Sequence, residues 1–149
     1  MIKKYLPWFI ALVFTGLLEM DQYMSEMIVS QTPEKVKKSG QKEIDSLYNY
    51  LQNDQNYKVT FLGFGADNCV NCKRMKKVQK KIGDKYPGQV NIVCLNVLQP
   101  ENLKLMKMYG IATIPSQVLL NAQGEEFFRN SGYYAPEKLS KIIETQLTK

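Results

Sequence analysis

The chain has 149 residues, a formal net charge of +6 and a hydrophobic content of 44%, which together fit one domain with its own core and a short appendage. It contains three cysteines and no histidine. These counts exclude Ser-His and Cys-His nucleophile systems, Cys/His zinc sites and, within one chain, four-cysteine metal centres.

Residues 1–29 are predicted to be a signal peptide or a membrane anchor. Lys3 and Lys4 precede an uncharged apolar run at 5–18, and acidic residues follow it. A basic start before an apolar run is typical of export segments, although this run is shorter than the roughly 20 residues of a full span. The charge distribution predicts the amino end in the cytoplasm and the rest outside. We therefore expect an extracytoplasmic protein, either anchored or secreted.

Residues 30–41 are polar and lysine-rich, and they are predicted to be a linker with a helix start near Pro33. Just before them, Met20, Met24 and Met27 fall at helical spacing. Such a stripe is most often an apolar helix face, but methionines also bind cuprous ion. A copper(I)-handling module is therefore one alternative function.

Residues 42–149 are predicted to form a single α/β domain. Apolar periodicity and turn residues predict helices over 42–53, from the cysteine pair to about 86, around 103–109 and over 135–147, and strands over 57–64, 90–97, 116–120 and 125–129. This order implies a mixed sheet with helices on both faces.

Cys69 and Cys72 form a C-x-x-C pair between the first predicted strand and the helix that follows it. This context places Cys69 at a helix N-terminus, where free N–H groups and the helix dipole stabilise a thiolate. A thiolate is the form that attacks disulfides, and the two-residue spacing lets Cys72 resolve the product. The spacing by itself is compatible with redox chemistry or metal binding.

The helix after the cysteine pair is strongly basic. A solvated helix face is the usual explanation for such a run, and acidic partners or anionic lipids are alternatives. We expect no nucleic-acid binding, because no aromatic residues are interleaved with the lysines. Lys73 lies one turn after Cys69 and is expected to help lower the pKa of its thiol.

Over 42–147 the chain resembles a thioredoxin. The resemblance is carried by Ala-Asp-Asn-Cys-x-x-Cys-Lys at 66–73, by Tyr-Gly-Ile-x-x-Ile-Pro at 109–115, and by a hairpin and final helix after them. It implies a thioredoxin fold, in which a central mixed sheet is flanked by helices. Here that domain would follow the amino-terminal signal or anchor helix.

The resemblance also implies roles for individual residues. Cys69 would be the attacking thiol and Cys72 the buried resolving thiol, so that the two form the redox disulfide. Pro115 would be cis and would pack beside the dithiol. The backbone at Thr113 and Ile114 would pair with an extended substrate strand.

The implied function is an exported thiol–disulfide oxidoreductase that acts on protein disulfides. Proteins of this sort commonly draw electrons from a membrane transporter of the DsbD type, and we expect no metal or other cofactor. The direction depends on the reduction potential, which is about −270 mV for thioredoxin and about −120 mV for the oxidase DsbA. The flanking sequence resembles reducing thioredoxins, so we expect a reductase. A disulfide oxidase or isomerase and a non-catalytic adaptor are the alternatives.

Several positions depart from the thioredoxin pattern, and two of them concern the buried group that usually lies beneath the dithiol. Gly63 stands where a buried aspartate usually lies beneath the dithiol, and Cys94 stands where its lysine companion is expected. Without that carboxylate, deprotonation of Cys72 must use water, a backbone group or another residue. Cys94 is predicted to be a small buried residue on a strand; the alternative is that it pairs with Cys72 or shields it.

Overall fold

The computed structural model describes residues 33–149. The predicted signal or anchor at 1–29 and the methionine stripe lie outside this range. The helices are α1 (Pro33–Tyr48), α2 (Val70–Lys85), α3 (Leu103–Met108) and α4 (Pro136–Leu147), with a 3₁₀ turn at Pro100–Asn102; the strands are β1 (Val59–Gly65), β2 (Val90–Asn96), β3 (Ser116–Asn121) and β4 (Glu126–Ser131). Between residues 33 and 149, no helix combines the length and the apolar character needed to cross a bilayer.

The four strands form one mixed sheet in the order β2-β1-β3-β4. β1 runs parallel to β2 and antiparallel to β3, and β4 returns antiparallel to β3 as a hairpin. Gly63 of β1 lies opposite Cys94 of β2 on one side and opposite Gln117 of β3 on the other. The predicted mixed α/β sheet is confirmed, and β2 lies at an edge of it.

The sheet carries a hydrophobic core on each face, because side chains alternate along every strand. One core contains residues of α1, α3 and the sheet, among them Ile44, Leu62 and Tyr109. The other contains residues of α2, α4 and the sheet, among them Phe61 and Ile82. The near-continuous burial of β1 follows from this cover on both faces.

The amino end of β1 and its carboxyl end differ in what they present to α2. Val59 and Phe61 fill the face below that helix with bulky side chains. Gly63 and Gly65 continue the same face without a side chain. The chain therefore leaves room beneath the start of α2, which is where Cys72 lies.

Helix α1 begins and ends earlier than the predicted 42–53. Its early end follows from groups after Tyr48 that find other partners. Tyr50 donates its backbone N–H to the carbonyl of Ala122 (2.9 Å), and its hydroxyl pairs with that of Thr60 (2.5 Å). These bonds draw the chain away from the helix axis. Leu51, expected on the buried face, is 69% exposed.

Candidate active site

Cys69 is the N-cap residue of α2. Its backbone is extended (φ −96°, ψ 117°), and its Sγ accepts a hydrogen bond of 3.2 Å from the backbone N–H of Cys72. The two cysteines form a disulfide with their Cα atoms 5.1 Å apart. The first turn of α2 carries no acidic residue. A sulfur in this position receives both a direct N–H donor and the positive end of the helix dipole, which stabilise its thiolate after reduction.

The two sulfurs differ in accessibility. Cys69 is half-exposed, whereas Cys72 is only 2% exposed. Cys72 packs against β1, where a Cβ built on Gly65 would lie 3.3 Å from its Sγ. An incoming disulfide can therefore reach Cys69 but not Cys72, which is the asymmetry that a two-step thiol–disulfide exchange requires.

A cis peptide bond joins Ile114 to Pro115. Pro115 is buried and lines the same cavity as Cys72, which places it beside the disulfide as the resemblance implies. Thr113 and Ile114 are exposed just before β3. No described residue pairs with the backbone N–H of either one. Within the described part of the chain both N–H groups are thus available as donors, and the binding role of Thr113 and Ile114 stays a prediction.

Several exposed side chains surround Cys69. Lys73 lies one helical turn after it, and its backbone N–H donates to the Cys69 carbonyl (3.1 Å). The guanidinium of Arg74 lies 4.3 Å from the centre of the Tyr133 ring. Val70 is 74% exposed at the start of α2. This surface offers both positive charge and apolar contact area, while the proposed effect of Lys73 on the Cys69 thiol stays a prediction.

Asp67 precedes the cysteine pair and lies at the mouth of the cavity. Its carboxylate accepts hydrogen bonds from Lys76 (2.6 Å) and from the side-chain amide of Asn96 (3.2 Å). The bond and charge of Lys76 hold the pKa of Asp67 below its usual range. The same pair raises the pKa of Lys76. Asp67 is therefore a weaker base than a free carboxylate.

Beneath the disulfide lies a cavity of about 150 Å³. Its walls include Cys72, Gln79, Cys94, Pro115 and Gln117. Gln117 is 1% exposed and is bonded at both ends of its amide, because it donates to the carbonyl of Gly132 (3.1 Å) and accepts from Asn130 (2.8 Å). Gln79 is 4% exposed and occupies the space above Gly63.

Cys94 is exposed, contrary to the prediction of a buried strand residue. The prediction was wrong because β2 is an edge strand, so no further strand covers it in the part of the chain that the structure describes. Its Sγ donates a weak hydrogen bond to Oε1 of Gln79 (3.4 Å), and it is unpaired with Cys72. The pKa of its thiol is raised by partial burial, against the opposing charge of Lys76.

No cluster of three or more histidine, cysteine, aspartate or glutamate side chains able to hold a metal occurs within residues 33–149.

A profile of the family described as a thioredoxin-like domain matches residues 47–147, well over half of the chain. The chain belongs to the thioredoxin-like domain family. It is similar in structure to a mutant thioredoxin of Halobacterium salinarum NRC-1, with a TM-score of 0.57 and 24% identity over 70% of this chain and 83% of that one. It is also similar to thioredoxin-2 of the malaria parasite, described as a component of the parasite's protein secretion machinery. There the TM-score is 0.55, with 19% identity over 63% of this chain and 96% of that one.

These likenesses establish the thioredoxin-like fold, and no protein of curated function matches the chain significantly. The fold and the close cysteine pair together support thiol–disulfide redox chemistry at a general level. The recognition of a thioredoxin-like chain is confirmed.

Gln79 is the site residue that sequence analysis missed. The other buried residues of α2 are apolar side chains and a cysteine: Cys72, Met75, Val78 and Ile82. An amide on that face is the signal that could have singled it out, because buried polar groups need partners. The identity of those partners depends on the pairing of β1 with β2, which local patterns do not specify.

Proposed function

We propose that this protein is a thiol–disulfide oxidoreductase that reduces disulfide bonds of proteins outside the cytoplasm. One observation carries the redox assignment: an accessible sulfur at the N-cap of α2 is bonded to a buried one three residues later. The N-cap position stabilises the thiolate form of Cys69, and burial protects Cys72 from direct attack. Each cysteine therefore suits one step of the exchange.

The reaction starts from the reduced dithiol. The Cys69 thiolate attacks one sulfur of the substrate disulfide, forms a mixed disulfide and expels the first substrate sulfur as a thiolate, which takes up a proton. Cys72 then loses its proton and attacks Sγ of Cys69. The second substrate thiol leaves, and the protein retains the Cys69–Cys72 disulfide. Two electrons have passed from the dithiol to the substrate.

We place substrate binding at the free backbone donors of Thr113 and Ile114. Pro115, which directly follows Ile114, lines the same cavity as Cys72. A substrate strand beside Thr113 and Ile114 would therefore bring its disulfide close to the cysteine pair. Main-chain pairing of this kind accepts many sequences, since it reads the backbone. A broad set of protein disulfides is therefore the proposed substrate class.

The extracytoplasmic location and the electron source are further parts of this proposal. Both rest on the basic and apolar character of residues 1–18, which is typical of export segments. A membrane electron transporter of the DsbD type would return the Cys69–Cys72 disulfide to the dithiol. Fusion of alkaline phosphatase after residue 40 tests the location, because that enzyme is active only after export. An inactive, cytoplasmic fusion would contradict it.

Insulin reduction by dithiothreitol tests the activity. The wild-type protein should accelerate precipitation of the insulin B chain, and Cys69→Ser should abolish the effect. Cys72→Ser should instead accumulate a mixed disulfide on Cys69, which mass spectrometry of trapped partners would identify. An equal rate for wild type and Cys69→Ser would contradict the proposal. Equilibration with glutathione tests the direction, and a potential above about −160 mV would identify an oxidase.

A further inference from the structure

The amide of Gln79 has one satisfied end and one free end. Oε1 accepts the hydrogen bond of the Cys94 thiol, 3.4 Å away. Nε2 is buried and has no hydrogen-bond partner among the described residues. The carbonyl end of the amide faces Cys94, so Nε2 points away from that thiol. A buried amide donor without a partner is costly, so a ligand at this position is favoured.

Gln79, which carries this amide, lines the cavity beneath the disulfide. Gln79, Cys72 and Cys94 all line this space of about 150 Å³. Water fits a cavity of this size when polar groups are present to hold it. Nε2 is one such group and the Cys72 sulfur is another. The cavity therefore connects the resolving cysteine with an unsatisfied donor.

Nε2 of Gln79 and the Cys72 sulfur lie over neighbouring positions on the same face of β1. Nε2 lies 1.7 Å from the position of a Cβ on Gly63, and the Cys72 sulfur lies 3.3 Å from that of a Cβ on Gly65. Positions two residues apart on one face of a strand are roughly 6–7 Å apart. Both groups therefore lie over the part of β1 that carries no side chains, where Gly63 and Gly65 leave space between them.

We propose that a water molecule bound by Gln79 Nε2 in this cavity accepts the proton of Cys72 when the mixed disulfide is resolved. This inference rests on the proposed oxidoreductase function. The Cys72 S–H bond breaks, its proton passes to the water and on to bulk solvent, and the thiolate attacks Sγ of Cys69. The Nε2 donor, acting through the water, then stabilises the thiolate. Gln79 is a positioning residue, since it acts through the water.

The charged and titratable groups around the cavity come from three parts of the chain. Asp67 in the loop after β1 is bonded to Lys76 of α2, so neither is a strong proton acceptor. Cys94 of β2 is a thiol whose pKa is raised by burial. Cys69 at the start of α2 is consumed in the mixed disulfide. Gln117, from β3, is neutral, and each end of its amide already has a partner.

The test measures only the resolution step, in which Cys72 attacks the mixed disulfide on Cys69. All variants of Gln79 are made in a Cys94→Ser background, because serine keeps the donor to Gln79 and removes the third thiol. The reduced protein is treated with an aromatic disulfide that releases a coloured thionitrobenzoate at acid pH, where Cys72 is protonated. A jump to higher pH then starts the release of the second thionitrobenzoate by Cys72. Its rate is recorded as a function of pH.

Gln79→Met keeps the length of the side chain and removes the donor. We expect it to slow the second release at neutral pH by about fivefold and to move the midpoint of its pH profile upward, because a charge-assisted bond to the thiolate is lost. Gln79→Glu places a base beside the water. It should restore a fast second release at pH values above the midpoint of a new pH profile. Cys94→Ala, with Gln79 kept, should show part of the Gln79→Met effect when it is compared with the Cys94→Ser reference.

The first release, which reports attack by Cys69, should be the same in all these variants. An unchanged second release in Gln79→Met would overturn the inference, and so would equal slowing of both releases, which indicates a general structural effect. A shifted midpoint in Asp67→Asn but not in Gln79→Met would overturn it by assigning the proton to Asp67. A wild type whose Cys69 does not react at all would instead contradict the proposed function.

Discussion

Replacement of Gly63 by alanine tests the contact between β1 and α2 beneath the cysteine pair. A Cβ at this position would lie 1.7 Å from Nε2 of Gln79 and 2.6 Å from its Cδ. Real Cβ atoms do not make such contacts, so the Gln79 side chain must leave the position that it holds. Its bond to Cys94 would be lost in the process.

Both effects lower stability. Added volume in a packed core costs about 1–3 kcal/mol, and a lost hydrogen bond about 0.5–1.5 kcal/mol. Alanine itself is favoured over glycine in a strand by roughly 0.5–1 kcal/mol, which offsets part of the loss. The net expectation is a destabilisation of about 2 kcal/mol. A loss of this size lowers the Tm of a domain of this length by about 10 °C.

Urea unfolding of the oxidised protein, followed by circular dichroism, measures this loss. The double variant Gly63→Ala, Gln79→Ala is the control, because it removes the group that the new methyl would meet. It should be more stable than the sum of the single effects by about 1–2 kcal/mol. A Gly63→Ala protein as stable as wild type, or simple additivity in the double variant, would refute the steric explanation.

Three further expectations concern other contacts. In the native oxidised protein Cys94 should be alkylated without denaturant, but more slowly at pH 8 than a free thiol because its pKa is raised by burial; mass spectrometry over time measures this, and complete protection would contradict it. Glu144 accepts a bond from Lys85, which lowers its pKa, so its contribution to stability is present above its unfolded pKa and is lost as pH falls through the folded value. The free energy of unfolding of Glu144→Gln should therefore fall less on acidification than that of wild type. An identical dependence on pH in the two proteins would argue against this. Thr60→Val leaves the buried Tyr50 hydroxyl without this partner and should cost about 1–2 kcal/mol in urea unfolding, whereas Thr60→Ser should cost less; equal losses would contradict a hydrogen-bond origin.

Most elements of the domain could be predicted from the sequence because their patterns are local. The strand, the C-x-x-C pair and the basic helix with its apolar face occur in one continuous segment. The final helix at Pro136–Leu147 was expected at 135–147, and the helix stop at Gly110 coincides with its positive φ of 59°. Helix α1 was misplaced because its end depends on bonds from Tyr50 to Ala122 and Thr60, which lie far along the chain.

The sequence by itself determined the chemistry and the fold class: with no histidine and three cysteines, a C-x-x-C between a strand and a helix points to a dithiol on a thioredoxin-like domain. Only the tertiary structure showed that Gln79 fills the space where a side chain at Gly63 would lie, that the Cys94 thiol donates to its carbonyl oxygen, and that both residues line a cavity with Cys72. These residues come from one helix and two strands. Their meeting depends on the register of the sheet, which is set by non-local pairing and not by any local pattern.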